Sequence, residues 1–432
     1  MYYFEEVLNY QKESRPGNSL DVTRSLNNVG RAYRALEGVE NIRKGLAYHE
    51  ESLKIFQELF PGFRSDIAES LTHLAVAYRE LGGEKNIRKG LAYHKESLKM
   101  CQELFSGNHR SIAMSLNNIG VTYYNLGGED NIRKGLTYHK KSLKMRQELY
   151  SSSHPYIARS LSNIGRAYLA LGGKENIRKG LKYHEKSLKM RQELYSSSHP
   201  DVALSLNNIG TAYHALGGEK NIRKGLLYHE KSLRMFQELF TGNHSYIARS
   251  LNNIGNAYHA LGGEDNIRKG LVYYEKSLKM RQELYCGSHP DVAITFYSLG
   301  KTYQESGDAN KALEYIKQAY GLYSDWFEED GKVSEELKLK IELLQPNFFS
   351  TKSVEQRENC FSGNNVGFEC RWIILSRGDM KEELIMVKQK LQKNVLNNVV
   401  KAIVDEANYY PQVFRELSLY AYKIFNLLLY NY

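Results

Sequence analysis

The sequence predicts an all-α solenoid, and three observations support that prediction. A unit of 45 residues recurs along most of the chain. Within each unit, apolar residues recur at the spacing of amphipathic helices, in two blocks that a glycine pair separates. The composition, with 42% hydrophobic and 25% charged residues, is that of a globular protein and argues against wholesale disorder. Since one such helix pair cannot bury its apolar side alone, the repetition predicts stacked pairs around a continuous core.

Six full units begin at equivalent serines, and a shorter seventh unit begins at a threonine. The unit starts are Ser25, Ser70, Ser115, Ser160, Ser205, Ser250 and Thr295. We therefore assign residues 25–325 to the repeat array. Residues 1–24 match the second half of a unit, so they predict a half repeat with a helix B and no helix A, either a cap or a truncated repeat.

The order of elements within a unit follows from its glycines. In the unit 205–249 the first apolar block predicts helix A, and Gly217 and Gly218 end it because glycine adopts the left-handed conformation at no steric cost. Asn221 is the predicted N-cap of helix B, which we expect over about residues 222–239. A further glycine lies inside each helix B, and it predicts a close crossing with helix A.

The recurring letters resemble tetratricopeptide repeats, and in particular those of the kinesin-light-chain type. Ile209-Gly210 and Tyr213 match the pattern of the first helix, and Gly225 and Ser232 match that of the second. The resemblance covers about residues 1–325. It implies a tetratricopeptide-type α-solenoid, a right-handed superhelix of helix-turn-helix repeats, that acts as a non-catalytic scaffold for protein partners.

The C-terminal part of the chain differs from the repeats. We predict a capping helix over residues 326–346, a linker rich in Ser, Asn and Gly over 347–367, and a small, mostly helical region of unrecognised family over 368–432. An alternative function follows from this organisation. The protein would be an effector or enzyme whose activity lies in residues 350–432, with the array as its targeting arm.

Helix A carries the candidate binding residues. In the resembled family this helix lines a concave groove that binds peptides, and an asparagine at the second position of the Asn-Asn pair contacts the peptide backbone or a terminal carboxylate. The equivalent residues are Asn28, Asn118, Asn163, Asn208 and Asn253. The alternative for this row is a hydrogen bond between repeats that sets their stacking. Basic residues on the same side favour acidic or carboxylate-bearing peptides. They are Arg31, Arg34, Arg79, Arg166 and Lys301.

Other classes of function are less favoured. The net charge of +10 is a mild lean toward acidic partners, and the recurring Asn-Ile-Arg-Lys-Gly run is expected to pair with nearby glutamates rather than to bind nucleic acid. The 4 cysteines lack zinc-site spacing, and the recurring histidine of helix B is expected in the core. We predict no catalytic residue, metal or cofactor. The chain shows no signal peptide and no transmembrane stretch, so we predict a cytoplasmic protein.

Overall fold

A computed structural model describes residues 2–14, 20–36, 38–150, 152–195, 198–285 and 289–327, together with Lys338 and Ile341. The described residues all belong to one compact unit. The predicted linker, the predicted C-terminal helical region and the alternative effector site at 350–432 all lie outside the described residues.

The described residues form 15 helices, in the order α1 (Tyr2–Ser14), α2 (Leu20–Ala35), α3 (Val39–Leu59), α4 (Arg64–Leu81), α5 (Glu84–Leu104), α6 (Arg110–Leu126), α7 (Glu129–Leu149), α8 (Pro155–Ala170), α9 (Lys174–Leu194), α10 (Pro200–Leu216), α11 (Glu219–Leu239), α12 (Ser245–Leu261), α13 (Glu264–Leu284), α14 (Pro290–Glu305) and α15 (Ala309–Phe327). The even-numbered helices are the helices A of successive repeats, and the odd-numbered helices from α3 onward are their helices B. The all-α prediction is confirmed for this part of the chain.

The helices stack in one continuous series. Each helix A packs against the helix B of its own repeat, as α10 does with α11, and each helix B packs against the next helix A, as α11 does with α12. Helices A of neighbouring repeats also contact one another, as α8 and α10 do. Since the inner elements of a curved stack are the ones drawn together, this contact places helices A on the concave side and helices B on the convex side.

The glycine pair ends helix A as predicted, but the predicted N-cap of helix B is wrong. Gly217 has φ 69° and Gly218 has φ 76°, both in the left-handed region. Gly218 is itself the N-cap, so α11 begins at Glu219, three residues before the predicted start. The Asn221 side chain instead donates back to the carbonyl oxygen of Gly217 at 2.8 Å.

Each helix A from α6 onward begins upstream of its unit start, after a histidine that is its N-cap. At the start of α10, Nδ1 of His199 accepts a hydrogen bond from the backbone N–H of Asp201 at 3.1 Å. The imidazole also stacks on Tyr195, the last residue before the turn, with ring centroids 3.5 Å apart. The loop histidines therefore fix both the end of one repeat and the beginning of the next.

Helices A and B cross closely, as the internal glycines predicted. A methyl group built on Gly225 would lie 2.8 Å from the backbone oxygen of Gly210 in the facing helix. Nearby, the hydroxyl of Ser232 donates to the carbonyl oxygen of Ala203 at 2.8 Å. Because only backbone occupies the crossing, no side chain larger than hydrogen fits at Gly225 without displacement.

The recurring histidines of helix B lie in the core, as predicted. Those at positions 49, 94, 139, 184 and 229 are at most 2% exposed, and Tyr274 takes the same place in the sixth full repeat. Burial lowers the pKa of His184 to about 3 and that of His49 to about 2, so these imidazoles are neutral in the folded chain.

A buried arginine joins consecutive repeats at three of the interfaces. Arg191 in α9 donates through Nη1 to the carbonyl oxygen of Asp201 and to the hydroxyl of Ser205, each at 2.8 Å. Phe236 fills the equivalent place two helices later. Along the array this buried position holds Phe56, Cys101, Arg146, Arg191, Phe236 and Arg281 in turn, so an apolar residue and a hydrogen-bonded arginine both fit it.

The segment after α15 is described at two residues only. Both Lys338 and Ile341 are helical, and Ile341 packs on the cluster around Ala312 and Ile316. Most of the predicted capping helix at 326–346 lies outside the described residues, so that assignment stays a prediction. Among the described helices, none is long and apolar enough to cross a membrane.

Candidate peptide-binding groove

The row of second asparagines links neighbouring repeats on the concave side. Asn163 donates through Nδ2 to Oδ1 of Asn117 at 2.9 Å. Asn253 makes the same bond to Asn207 at 3.1 Å, and Asn208 donates to the hydroxyl of Ser162 at 3.1 Å. The inter-repeat bond that the sequence left open as an alternative is therefore present at three of the five predicted positions.

The partner of this row, the first asparagine of each pair, was not identified from the sequence as a structural residue. Asn207 is buried, and its Oδ1 also lies 2.7 Å from Nδ1 of His229 in the same repeat. Asn27 and His49 form the same contact at 2.9 Å. A polar chain thus runs from His229 through Asn207 to Asn253 of the following repeat.

The remaining two predicted asparagines lie differently. Asn28 is exposed, and Asn118 is half-buried. The repeat that precedes Asn118 carries Thr72 in place of the first asparagine, and Thr72 bonds within its own repeat to the hydroxyl of Ser97 at 2.9 Å. The amide of Asn118 therefore lacks the acceptor that the later asparagines use.

Two of the predicted basic residues are occupied by one carboxylate. Arg34 donates through Nε and Nη2 to the two oxygens of Glu80 in the next repeat, at 2.8 and 2.9 Å. Arg79 lies 3.7 Å from the same carboxylate. This pairing neutralises the groove locally and fixes the geometry between the first two helices A.

Arg166 is the basic residue that the groove leaves most available. Its side chain is exposed, and its guanidinium lies over the ring of Tyr124 in the preceding helix A, 4.9 Å from the ring centroid. No carboxylate of the described residues lies within 4.0 Å of it. Its charge helps to lower the pKa of Arg79 and that of Arg249, although burial is the larger cause at both.

Arg31 and Lys301 lie toward the two ends of the array. Arg31 is exposed. The pKa of His49 is lowered first by burial, then by the charges of His73 and Arg34, and last by the charge of Arg31. Lys301 is half-buried on α14.

Sequence reasoning missed a further variable row, one residue before each unit start, in which three of the seven residues are arginines. Arg249 in this row is largely buried, with its guanidinium 5.2 Å from the ring centroid of Tyr246. Its Nε is buried and has no hydrogen-bond partner among the described residues. The sequence contained a signal for this row, because its residue varies between repeats as the residues of the predicted rows do. Its other members are Arg24, Glu69, Met114, Arg159, Leu204 and Ile294.

Two histidines lie in the groove near Lys301. His259 lies with Nε2 3.0 Å from the carboxylate of Glu305. The pKa of His214 is lowered, first by burial and then by the charges of His259 and Lys301. The lowered pKa leaves His214 uncharged at neutral pH.

One residue of the recurring Arg-Lys run is charge-paired in each of α5, α7, α9, α11 and α13. Arg133, Arg223 and Arg268 each contact the glutamate four residues earlier, within 2.9 Å. The described residues contain no group of three or more His, Cys, Asp or Glu that could hold a metal ion.

Comparisons with known proteins identify the repeats. Models of the tetratricopeptide repeat match residues 112–156, 157–201 and 263–325. Among curated proteins, no sequence matches significantly. Similar solved structures include a Rap protein complexed with Competence and Sporulation Factor, at 13% identity and TM-score 0.53, covering 78% of this chain and 84% of that one.

Two further structures show the same likeness. Aspartyl phosphate phosphatase F from Bacillus subtilis is 15% identical with TM-score 0.50, and 70% of each chain is covered. A kinesin light chain with nearly identical tetratricopeptide-like repeats from Podosopora anserina is 16% identical with TM-score 0.39, covering 51% of this chain and 98% of that one. The matched repeats and the stacked helix pairs together show that the chain is a tetratricopeptide-repeat protein.

Proposed function

We propose that the array is a protein-interaction scaffold that binds an extended acidic peptide along its concave groove. The observation that carries the proposal is Arg166. It is exposed at the middle of the groove, lies on the ring of Tyr124, and has no carboxylate partner among the described residues. A guanidinium held against an aromatic face is preorganised to bind a carboxylate or a phosphate through two parallel hydrogen bonds.

The asparagine row supplies contacts that do not depend on the peptide's side chains. Each of Asn163, Asn208 and Asn253 uses one N–H for the bond between repeats. A primary amide has a second N–H and an acceptor oxygen, which match the backbone C=O and N–H of an extended chain. In this proposal one residue both sets the stacking and binds the ligand.

The acidic side chains of the peptide are recognised by only part of the predicted basic set. Arg166, Arg31 and Lys301 contact the ligand, whereas Arg34 and Arg79 hold Glu80. The Rap protein of similar fold was solved with Competence and Sporulation Factor bound, which supports a ligand-binding role for such an array. The proposed role requires no catalytic residue, and the cytoplasmic location stays a prediction from sequence.

The test is a selection of peptides on the intact chain followed by affinity measurement. A random peptide library is panned on the immobilised protein, and the preferred peptide is titrated by fluorescence anisotropy. We expect acidic residues to be enriched and Arg166→Gln to weaken binding by about tenfold or more.

The matched control is Arg133→Gln, an arginine on helix B that already pairs with Glu129. We expect it to bind like the wild type, and circular dichroism establishes that both variants are folded. Enriched peptides without acidic residues, or equal affinities of the two variants, would contradict the proposal.

A further inference from the structure

The convex side of the array presents a repeated basic surface that the groove does not explain. In α9, the exposed position 182 is surrounded by Arg178, Lys179, Lys186 and Lys189. They lie three, four or seven residues from it, and these spacings place all four on one face of the helix. The same arrangement recurs in α7, α11 and α13. We call these sixteen exposed residues the convex basic face: Arg133, Lys134, Lys141, Lys144, Arg178, Lys179, Lys186, Lys189, Arg223, Lys224, Lys231, Arg234, Arg268, Lys269, Lys276 and Lys279.

Twelve of these sixteen residues have no carboxylate within 4.0 Å among the described residues. The four that are paired lie near the start of their helices, as in the contact of Lys179 with Glu175. The lysines two turns later have no carboxylate within 4.0 Å among the described residues. Each lies over a tyrosine of its own helix, with the ammonium 5.7–5.9 Å from the ring centroid. The row consists of Lys141, Lys186, Lys231 and Lys276.

Three of the four basic positions recur in the first two repeats, and only the lysine row is restricted to the later repeats. The first two repeats carry Glu51 and Glu96 where the later repeats carry the lysine row. The repeats are otherwise near copies, so the change of charge is a local property of the surface. It also shows that glutamate at this position is compatible with the fold.

Exposed aliphatic side chains lie in the centre of the same face. Leu227 is 57% exposed in α11, and Val272 is 48% exposed at the equivalent place in α13. The first two repeats have Ala47 and Ala92 there, so large apolar residues occur where the surface is also basic. Each of the two is flanked by basic residues three, four and seven positions away.

We propose that the convex basic face docks on an anionic lipid surface. Lysines on flexible apolar stems that surround exposed aliphatic residues combine attraction to acidic headgroups with insertion into the headgroup and acyl boundary. A nucleic acid would account for the charges but would leave Leu227 and Val272 unexplained. Because the face lies opposite the groove, a membrane-docked array keeps its concave side open to a peptide.

The experiment measures co-sedimentation of the full chain with vesicles. One set contains phosphatidylcholine and phosphatidylserine, and the other contains phosphatidylcholine alone. We expect binding to the anionic vesicles only. The triple variant Lys141→Glu, Lys186→Glu, Lys231→Glu should lower the partition coefficient by roughly 100-fold. Each lysine contributes a factor of about five, and the three factors multiply.

The matched control makes the same change of net charge elsewhere. It combines Lys85→Asp, Lys174→Glu and Lys220→Asp, at the exposed first turns of three helices B, where other repeats carry acidic residues naturally. We expect it to retain most of the wild-type partition. A second variant, Leu227→Ala with Val272→Ala, should weaken the binding that persists at high salt.

Three results would overturn the proposal. The first is no binding to anionic vesicles, and the second is an equal loss in the row variant and its control. The third is displacement of the protein from the vesicles by single-stranded DNA added at the same concentration of negative charge as the acidic lipid. That result would make nucleic acid the better ligand.

Discussion

Substitution of Gly225 by alanine separates local helix preference from packing, because the two effects have opposite signs. Gly225 lies inside α11, where helix propensity alone would make alanine more stable by about 1 kcal/mol. The added Cβ would, however, lie 2.8 Å from the backbone oxygen of Gly210 and 3.3 Å from the backbone nitrogen of His214. Neither atom is the flexible end of a side chain, so the two helices must move apart.

The magnitude follows from that distance. The Cβ would stand about 0.6 Å inside ordinary van der Waals contact with Gly210. Overpacking of this kind in a well-packed core costs about 1–3 kcal/mol, and a clash with backbone atoms that cannot rotate away belongs to the upper half of that range, above the propensity gain. We therefore expect Gly225→Ala to lower the free energy of unfolding by about 1–2 kcal/mol, and Gly225→Leu to prevent stable stacking of that repeat.

The control is Gly321→Ala in α15, where a Cβ meets no atom within 4 Å. It should raise the free energy of unfolding by about 0.5–1 kcal/mol, since only the propensity effect remains. Urea unfolding followed by circular dichroism compares both variants with the wild type. A Gly225→Ala variant as stable as the wild type would refute the close crossing as the reason for the glycine.

Three further outcomes test the structure. His184 has its pKa lowered to about 3 by burial, so the unfolded chain binds more protons and stability falls as the pH drops below about 6.5. His184→Tyr, which copies Tyr274, should reduce the loss between pH 7 and pH 5 by about 2 kcal/mol in urea titrations; an unchanged loss would show that this imidazole does not titrate on unfolding. Arg191→Phe, which copies Phe236, should change stability by under about 1 kcal/mol, whereas Arg191→Ala should cost about 2–4 kcal/mol; equal thermal shifts would contradict the role of the buried guanidinium. His199→Ala should cost about 1 kcal/mol by thermal melting, and His199→Asn should restore most of it; no recovery would mean that stacking on Tyr195 rather than capping is what matters.

The repeat architecture was predictable because its determinants are local and recur. The spacing of apolar residues, the glycine pair and the glycine inside helix B each act within one unit, and the repetition multiplies the signal. The start of α11 was mispredicted because two residue types compete for one role. Asn221 is a good N-cap by its chemistry, but Gly218 already has the extended ψ and left-handed φ that let the helix begin three residues earlier.

The candidate binding residues were predictable as rows on helix A, but the contacts between them were not. Arg34 and Glu80 are 46 residues apart, and their contact depends on how far one repeat is displaced against the next. Sequence patterns place both residues on helix A without fixing that displacement. The burial of Arg249 depends on the curvature of the groove in the same way, and curvature results from many small packing differences between repeats.

The variation between repeats indicates which positions serve the fold and which serve the surface. The crossing residues Gly225 and Ser232 recur as the same letters in nearly every repeat, because both contact backbone of the facing helix. Position 182 and its equivalents contact no facing helix, and they change from alanine through threonine and lysine to leucine and valine. In near copies, a change confined to solvent-facing positions leaves the packing intact. The proposed peptide and the proposed lipid surface would therefore contact separate residues, and substitutions on one face should leave binding at the other unchanged.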